Sequence, residues 1–371
     1  MLQKPLTQPS VGRPHAFSGD ESFELDVDRQ YSALTMGVAL VDRSDMGRLL
    51  LVGEDALDLL QRLSTNDLKS LQPGTGVATI LTSNKGRIVD LLVVICLEDD
   101  SCIPALSRDS GKEGTRLLVL TAADNRCKVT DWIDFYTFVE DIQTYDVTEE
   151  TAVLSLVGPK AVSVLARNAG TNPVNTDRFG SIQTEVCGVG VIVLRTDFAG
   201  VPSFDLIVSL PDLPRLKRGL LEQGKADGLG SAGAAAVDVV RIERGVPVSG
   251  KELTEDFNPL EAGLFEHVSF TKGCYVGQEV VTRLNTYNKV SKYLVGLRWG
   301  RDVPVSQGTS LFDDGKQVGV VTSAGTLPTA DGIGLGYVRK AQGGDGYTLS
   351  IDPKGSDTQI EVVGFIPQIS R

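Results

Sequence analysis

The sequence predicts an α+β protein: two α/β lobes followed by a small β-barrel. Three observations lead there. Leu51-Val52-Gly53-x-x-Ala56-x-x-x-Leu60 recurs as Leu156-Val157-Gly158-x-x-Ala161-x-x-x-Leu165, so a strand–glycine–helix unit is used twice. From Ser291 onward, six short apolar runs are divided by Gly and Asp turns, the texture of a small barrel. The length, 371 residues, suits two or three domains.

The elements follow in order. Residues 1–22 mix Pro5, Pro9, Pro14, Gly12 and Gly19 with polar residues and read as a flexible arm, with His15 as a solvated side chain. Val38–Asp42 and Arg48–Val52 read as strands around a turn at 44–47. Gly53 opens a helix to Leu63, with Ala56, Leu57, Leu60 and Leu63 on one face and acids in its first turn. Val77–Leu81 and Ile88–Leu97 flank Asn84-Lys85-Gly86-Arg87 as a hairpin. Asp90 sits inside the apolar second strand, where a carboxylate must be paired or solvated. The polar stretch 98–114 reads as a surface loop, 116–121 as a strand and 124–138 as a helix, with Phe135, Phe138 and Val139 expected in the core.

After the second strand–glycine–helix unit, with Pro159 at its helix start and Gly170 past its end, 189–195 and 203–210 read as strands. The spacing of Leu213, Leu216 and Leu220 predicts a helix over 211–223, and Gly245 and Pro247 end another over 234–244. His267 is expected to be a packed or exposed strand residue. The barrel strands are expected at 292–299, 309–312, 316–322, 333–339, 347–351 and 360–365.

Composition narrows the function. Hydrophobic residues make up 41% and charged residues 23%, with net charge −12. No Lys/Arg cluster offers the cationic face nucleic acid requires, and no apolar run approaches the ~18–20 residues that span a bilayer. The five cysteines, Cys96, Cys102, Cys127, Cys187 and Cys274, are scattered, odd in number and without C-x-x-C, which favours a reducing compartment and no dedicated metal site. Two histidines, His15 and His267, leave little for histidine triads or zinc. The N-terminal stretch lacks a signal peptide's apolar core and carries Asp20, Glu21, Glu24, Asp26 and Asp28, so the expected location is the cytoplasm, or an organelle stroma or matrix if a leader has been removed.

The densest run of chemically capable residues is Lys272-Gly273-Cys274-Tyr275-Val276-Gly277-Gln278-Glu279, followed by Arg283. Glycines at this spacing permit positive φ or close approach, and a neighbouring Lys and Arg can raise a thiol's thiolate fraction. A buried, inert cysteine in a glycine turn is the alternative. This run resembles the K-G-C-Y-x-G-Q-E-x-x-x-R signature of the YgfZ family. Those proteins are folate-binding relatives of the glycine-cleavage T-protein that act in iron–sulfur assembly or repair.

The resemblance to the T-protein superfamily extends from about Tyr31 to Phe365, through Asn258-Pro259-Leu260-Glu261-Ala262-Gly263-Leu264, Arg241-x-Glu243 and Gly86-Arg87-Ile88-Val89-Asp90. It implies a ring of two interleaved α/β lobes around a central folate pocket plus the barrel. The first lobe would take 23–52 and 151–285 with the signature loop, the second 53–150, and the barrel 290–371.

The resemblance also implies tetrahydrofolate, or a one-carbon derivative, as cofactor, with no permanently bound metal. Expected partners are iron–sulfur client or assembly proteins, and the chain is expected to be a monomer. Cys274 and Asp90 are the candidate catalytic residues. Asp90, Arg241, Glu243, Tyr275 and Lys272 are the candidate folate contacts, Arg241 toward folate's glutamate tail or, alternatively, in a helix-surface ion pair. Two departures bear on activity. Leu91 replaces the second acid of the G-G-I-x-D-D pattern, and Val201-Pro202 stand where a pterin-contacting glutamate is expected. The function implied is a tetrahydrofolate-binding factor for iron–sulfur assembly or repair. The alternatives are a tetrahydrofolate-dependent aminomethyltransferase or other one-carbon transferase, and a non-catalytic interaction protein. The T-protein itself lacks the K-G-C-Y signature.

Overall fold

In the first half of the chain, β-branched and leucine-rich runs alternate with short helices whose apolar faces match them. The structure, a computed structural model, describes residues 27–98, 101–111, 113–170, 177–329, 331–354 and 358–365; the expected arm at 1–22, with His15, lies outside them. The order is α1 (Val27–Met36), β1 (Ala39–Asp42), β2 (Gly47–Gly53), α2 (Ala56–Leu63), β3 (Gly76–Thr82), β4 (Ile88–Cys96), β5 (Thr115–Thr121), α3 (Arg126–Tyr136) and β6 (Gln143–Asp146). Then come β7 (Thr151–Val157), α4 (Ala161–Asn168), β8 (Ser181–Val186), β9 (Val189–Thr196), β10 (Ser203–Ser209), α5 (Leu213–Gly224), β11 (Gly230–Ser231), α6 (Ala234–Glu243) and α7 (Gln278–Thr286).

Two sheets result. One runs β11-β1-β7-β10-β9-β8, the other β3-β4-β5-β2-β6. The chain enters the first sheet at β1, builds the whole second sheet, and returns at β7. This interleaving moves one boundary. β2, expected in the first lobe, pairs with β5 and β6 of the second sheet, while β1 pairs with β7. The two strands around 44–47 are therefore not partners, because the turn between them carries the chain from one sheet to the other.

Strand alternation gives each sheet two faces. The outer face of the second sheet, with Leu49, Leu51, Leu92, Val94 and Val119, packs under Leu59, Leu60 and Leu63 of α2 and Val129 and Ile133 of α3. The outer face of the first, with Leu154, Leu156, Val191 and Leu206, packs under α4 and α5. The inner faces meet each other through Leu50, Val52, Ile95 and Leu118 against Val153, Ile192, Leu194 and Ile207. Each such side chain, fully buried, stabilises the fold by about 1.5–3 kcal/mol.

The repeated unit is real in both sheets. Gly53 and Gly158 have φ of 152° and 122°, and a Cβ on either would strike a backbone carbonyl, Asp141 O or Gly37 O. In the second copy the helix starts at Ala161, so Pro159 stands in the turn before it.

The C-terminal strands β12 (Lys292–Trp299), β13 (Ser310–Asp313), β14 (Lys316–Thr326), β15 (Gly332–Arg339), β16 (Thr348–Ser350) and β17 (Gln359–Phe365) close into the expected six-stranded barrel. It meets the lobes through a cluster that joins Val239 and Ile242 of α6, Phe257, Leu260, Leu264, Val281 of α7, and Leu294, Leu335 and Tyr337 of the barrel. One core expectation fails. Phe135, Phe138 and Val139 are exposed, because α3 packs through Val129 and Ile133, Phe135 lies off that face, and Phe138 and Val139 follow its last residue, Tyr136.

Candidate functional site

The run at 272–283 is a loop clamped on two sides that opens α7. On one side, Lys272 Nζ donates to the carbonyls of Gln61, Ser64 and Asn66 at 2.7, 2.7 and 2.6 Å. These lie at the C-terminal end of α2, where helix carbonyls lack intrahelical partners and a cation is favoured. Burial pulls the ammonium down to about 8, with the Asp67 carboxylate acting in the opposite sense. Val276 N donates to Arg62 O at 3.0 Å on the same helix end. On the other side, Thr82 Oγ1 donates to Val276 O at 2.5 Å. Gly277 takes φ 83°, and a Cβ there would lie 2.5 Å from Ser83 O, so only glycine seats the loop against the β3–β4 turn.

Between these anchors Tyr275 turns inward, 7% exposed, with Lys272 Nζ 5.3 Å from its ring centre. Its hydroxyl has no hydrogen-bond partner among the described residues, and burial pushes the phenol up to about 12. Cys274 turns outward and is exposed. Gly273, Glu279 and Arg283 are exposed too, and Gln278 Nε2 reaches Gly273 O at 3.5 Å, a long contact. The loop is thus a fixed platform carrying an outward thiol. Lys272, expected beside a ligand and the thiol, is instead a helix cap, because the α2 carbonyls surround its ammonium.

Asp90 differs from its expectation as well. Adjacent strand residues face opposite ways, so Asp90 and Leu91 cannot share a side of β4. Asp90 is fully buried toward the start of α3, where it accepts from Thr121 Oγ1, from Ala122 N at 3.1 Å, from Asn125 Nδ2 at 2.9 Å and from Ser249 Oγ at 2.6 Å. Protein donors hold both oxygens. Leu91 faces the cluster between lobes and barrel. Val201 is 5% exposed and packs with Leu34, Ala236 and Val240. Both positions expected to depart from the acid pattern are apolar contacts.

Arg241 is 2% exposed. Its guanidinium binds Glu252 Oε2 at 2.8 Å, Asp238 Oδ1 at 2.7 Å, Ser323 Oγ at 2.5 Å and Val246 O at 3.3 Å. Glu252, fully buried, also accepts from Thr322 Oγ1, Ser323 Oγ and Val248 N. Arg241 therefore ties α6 to the barrel strand β14; the helical pair with Asp238 also exists, joining the buried guanidinium to a half-buried carboxylate that Lys251 shares. Glu243, next along α6, is exposed and accepts from Tyr31 Oη at 2.8 Å. It borders a cleft of about 180 Å³ between α6 and the barrel, with Arg244, Arg298 and Gly364. His267 is buried in a 3₁₀ turn, and burial lowers its imidazole to about 4.

Sequence reasoning passed over Glu252 and Ser249. Nothing in their neighbourhoods marks them, since their partners lie 11 and 159 positions away. Among the described residues no group of three His, Cys, Asp or Glu could hold a metal ion.

The chain matches the GCVT N-terminal domain over residues 7–272 and the glycine cleavage T-protein C-terminal barrel domain over 292–366. It belongs to the glycine-cleavage T-protein family. Among family relatives, an aminomethyltransferase of Shouchella clausii is 31% identical over 355 residues, 94% of this chain and 90% of its own. A chloroplastic protein of Arabidopsis thaliana named as a transferase is 29% identical over 358 residues, 95% of this chain and 76% of its own. The T-protein fold is also that of an aminomethyltransferase T from Bartonella henselae, with TM-score 0.78, 23% identity, and 92% and 89% of the two chains covered. No helix among the described residues is long and apolar enough to cross a membrane.

Proposed function

We propose that this protein binds tetrahydrofolate and handles a one-carbon unit on it, as a folate-dependent transferase of the T-protein family. The observation that carries this is the likeness of both lobes and the barrel to proteins named as aminomethyltransferases. Glu243, an exposed carboxylate beside the cleft, is the proposed folate contact still able to meet a ligand, while the unpartnered Tyr275 hydroxyl is buried beneath the loop. Asp90, Arg241 and Lys272 act as supports that hold β4, α6 and the loop in place. With Leu91 at the second acid's position, aminomethyl transfer would lack general acid–base help worth about 10²–10⁴-fold, and with Val201-Pro202 in place of the expected glutamate it would lack a pterin contact.

The clamped loop with exposed Cys274 favours a second reading, in which bound folate and the thiol serve iron–sulfur assembly or repair on a client protein. The chain would then work as a monomer in the cytoplasm or, as the chloroplastic relative suggests, in an organelle.

Calorimetric titration with tetrahydrofolate and its 5-formyl form, on reduced wild type and Cys274→Ala, tests the shared part. Binding in both, with aminomethyl transfer detected, supports the transferase. Binding without transfer, and iron–sulfur enzyme activity restored by wild type but not Cys274→Ala, supports the second reading. Absence of binding in both proteins overturns both.

A further inference from the structure

Phe135, Phe138 and Val139 stand at the end of α3 with 68%, 79% and 94% of their surface exposed. Single exposed apolar residues are ordinary; a contiguous group rimmed by polar residues marks an interaction surface. This group is held firmly. The Glu140 carboxylate accepts from Phe138 N at 2.8 Å, Val139 N at 3.1 Å and Arg62 Nη2 at 2.9 Å, contacts that hold its carboxyl down to about 2. Tyr136 packs edge-on to Phe135 with ring centres 5.0 Å apart and lies 5.6 Å from Trp132. Trp132, Tyr136 and Val276 rest on the same core. A backbone ordered in advance loses little entropy on association.

The rim is anionic. Asp131, one turn before Phe135, and Asp134 beside it in sequence are both exposed on α3. Asp58 and Asp141 are exposed on the neighbouring segments. Arg62 is the only basic residue within 54–62 and 131–141, and its guanidinium is bound to Asp58 and Glu140. The surface also adjoins the signature loop, since Arg62 O accepts from Val276 N, two residues from exposed Cys274.

We propose that the end of α3 and the turn 137–141 form a docking surface for a partner protein that presents a basic segment bearing apolar side chains. The aromatic prong takes the partner's apolar groups and the carboxylate rim takes its Lys and Arg. A partner seated there is brought up to Cys274. This goes beyond the folate reading and does not depend on it.

The test uses the full chain and a fluorescein-labelled 14-residue peptide with Leu and Lys at helical spacing, beside a counterpart with Glu for Lys. The Lys peptide is expected to raise anisotropy, more weakly at high salt, and to slow hydrogen exchange at 136–141 and 274–277. F135S/F138S, at exposed positions that leave the core intact, is expected to bind it at least about tenfold more weakly. L210S, at another exposed apolar position, is expected to bind as wild type. Unchanged binding by F135S/F138S, or equal binding of the Glu peptide, overturns the proposal. So does a concentration-dependent dimer that F135S/F138S abolishes, which would assign the patch to a second copy of the chain.

Discussion

Arg241 and Lys272 both belong to stretches that read as ligand-binding motifs, and both direct their charge into the protein. Their surroundings differ. Around Arg241 the network closes on Glu252, Asp238 and Ser323 and joins α6 to the barrel. Around Lys272 the clamp closes on the end of α2 while Cys274, two positions on, stays outside. A cation in a motif therefore has two structural uses, locking a junction or fixing a platform, and only the platform leaves a reactive group exposed.

The largest effect is expected at the junction. Arg241→Met leaves Glu252 buried without its cation and should lower unfolding free energy by about 3–5 kcal/mol in a urea titration. A loss below about 1 kcal/mol would show that the junction is not closed. His267, immediately before the loop, comes next. Its folded pKa of about 4 lies below the ordinary 6.5, so the unfolded chain binds the extra proton between those values. Stability is complete above pH 6.5 and falls as pH drops toward 4, by roughly 2–3 kcal/mol, a slope that His267→Gln should flatten in thermal melts.

Asp90→Asn sets an amide against several donors and should cost about 1–3 kcal/mol while leaving the folate Kd of the folded protein unchanged. Weaker binding by a fully folded variant would return Asp90 to the pocket. Lys272→Met should cost about 1–2 kcal/mol and speed hydrogen exchange at 273–277, sharpening the distinction between clamp and junction. Cys274→Ala is expected to change stability by less than about 0.5 kcal/mol, because an exposed thiol packs against little. A larger loss would make the thiol part of the clamp.

Most elements were legible because they rest on local periodicity. The barrel strands, the β3–β4 hairpin and the doubled strand–glycine–helix unit follow from alternation and turn residues a few positions apart. Errors arose where the deciding contact is distant. β1 and β2 look like neighbours, but strand pairing depends on β7 and β5, more than 60 residues further on. Phe135 and Phe138 look like core because aromatics usually are, yet Phe135 is off the helix face that carries Val129 and Ile133 and Phe138 lies past the helix end. Glycine at 277 was legible as a special position, while its cause, the approach of Ser83, was not.

The sequence by itself determined most strands and helices, the barrel and the T-protein family, since these depend on residue pattern within each segment; α1, β6, β8 and β11 were not legible in it. Only the tertiary structure decided which way each polar side chain points. It turned Asp90 to the start of α3, Arg241 to Glu252, Lys272 to α2 and Cys274 to solvent. A buried charge must find partners to offset its lost hydration, and those partners come from segments that only folding brings together.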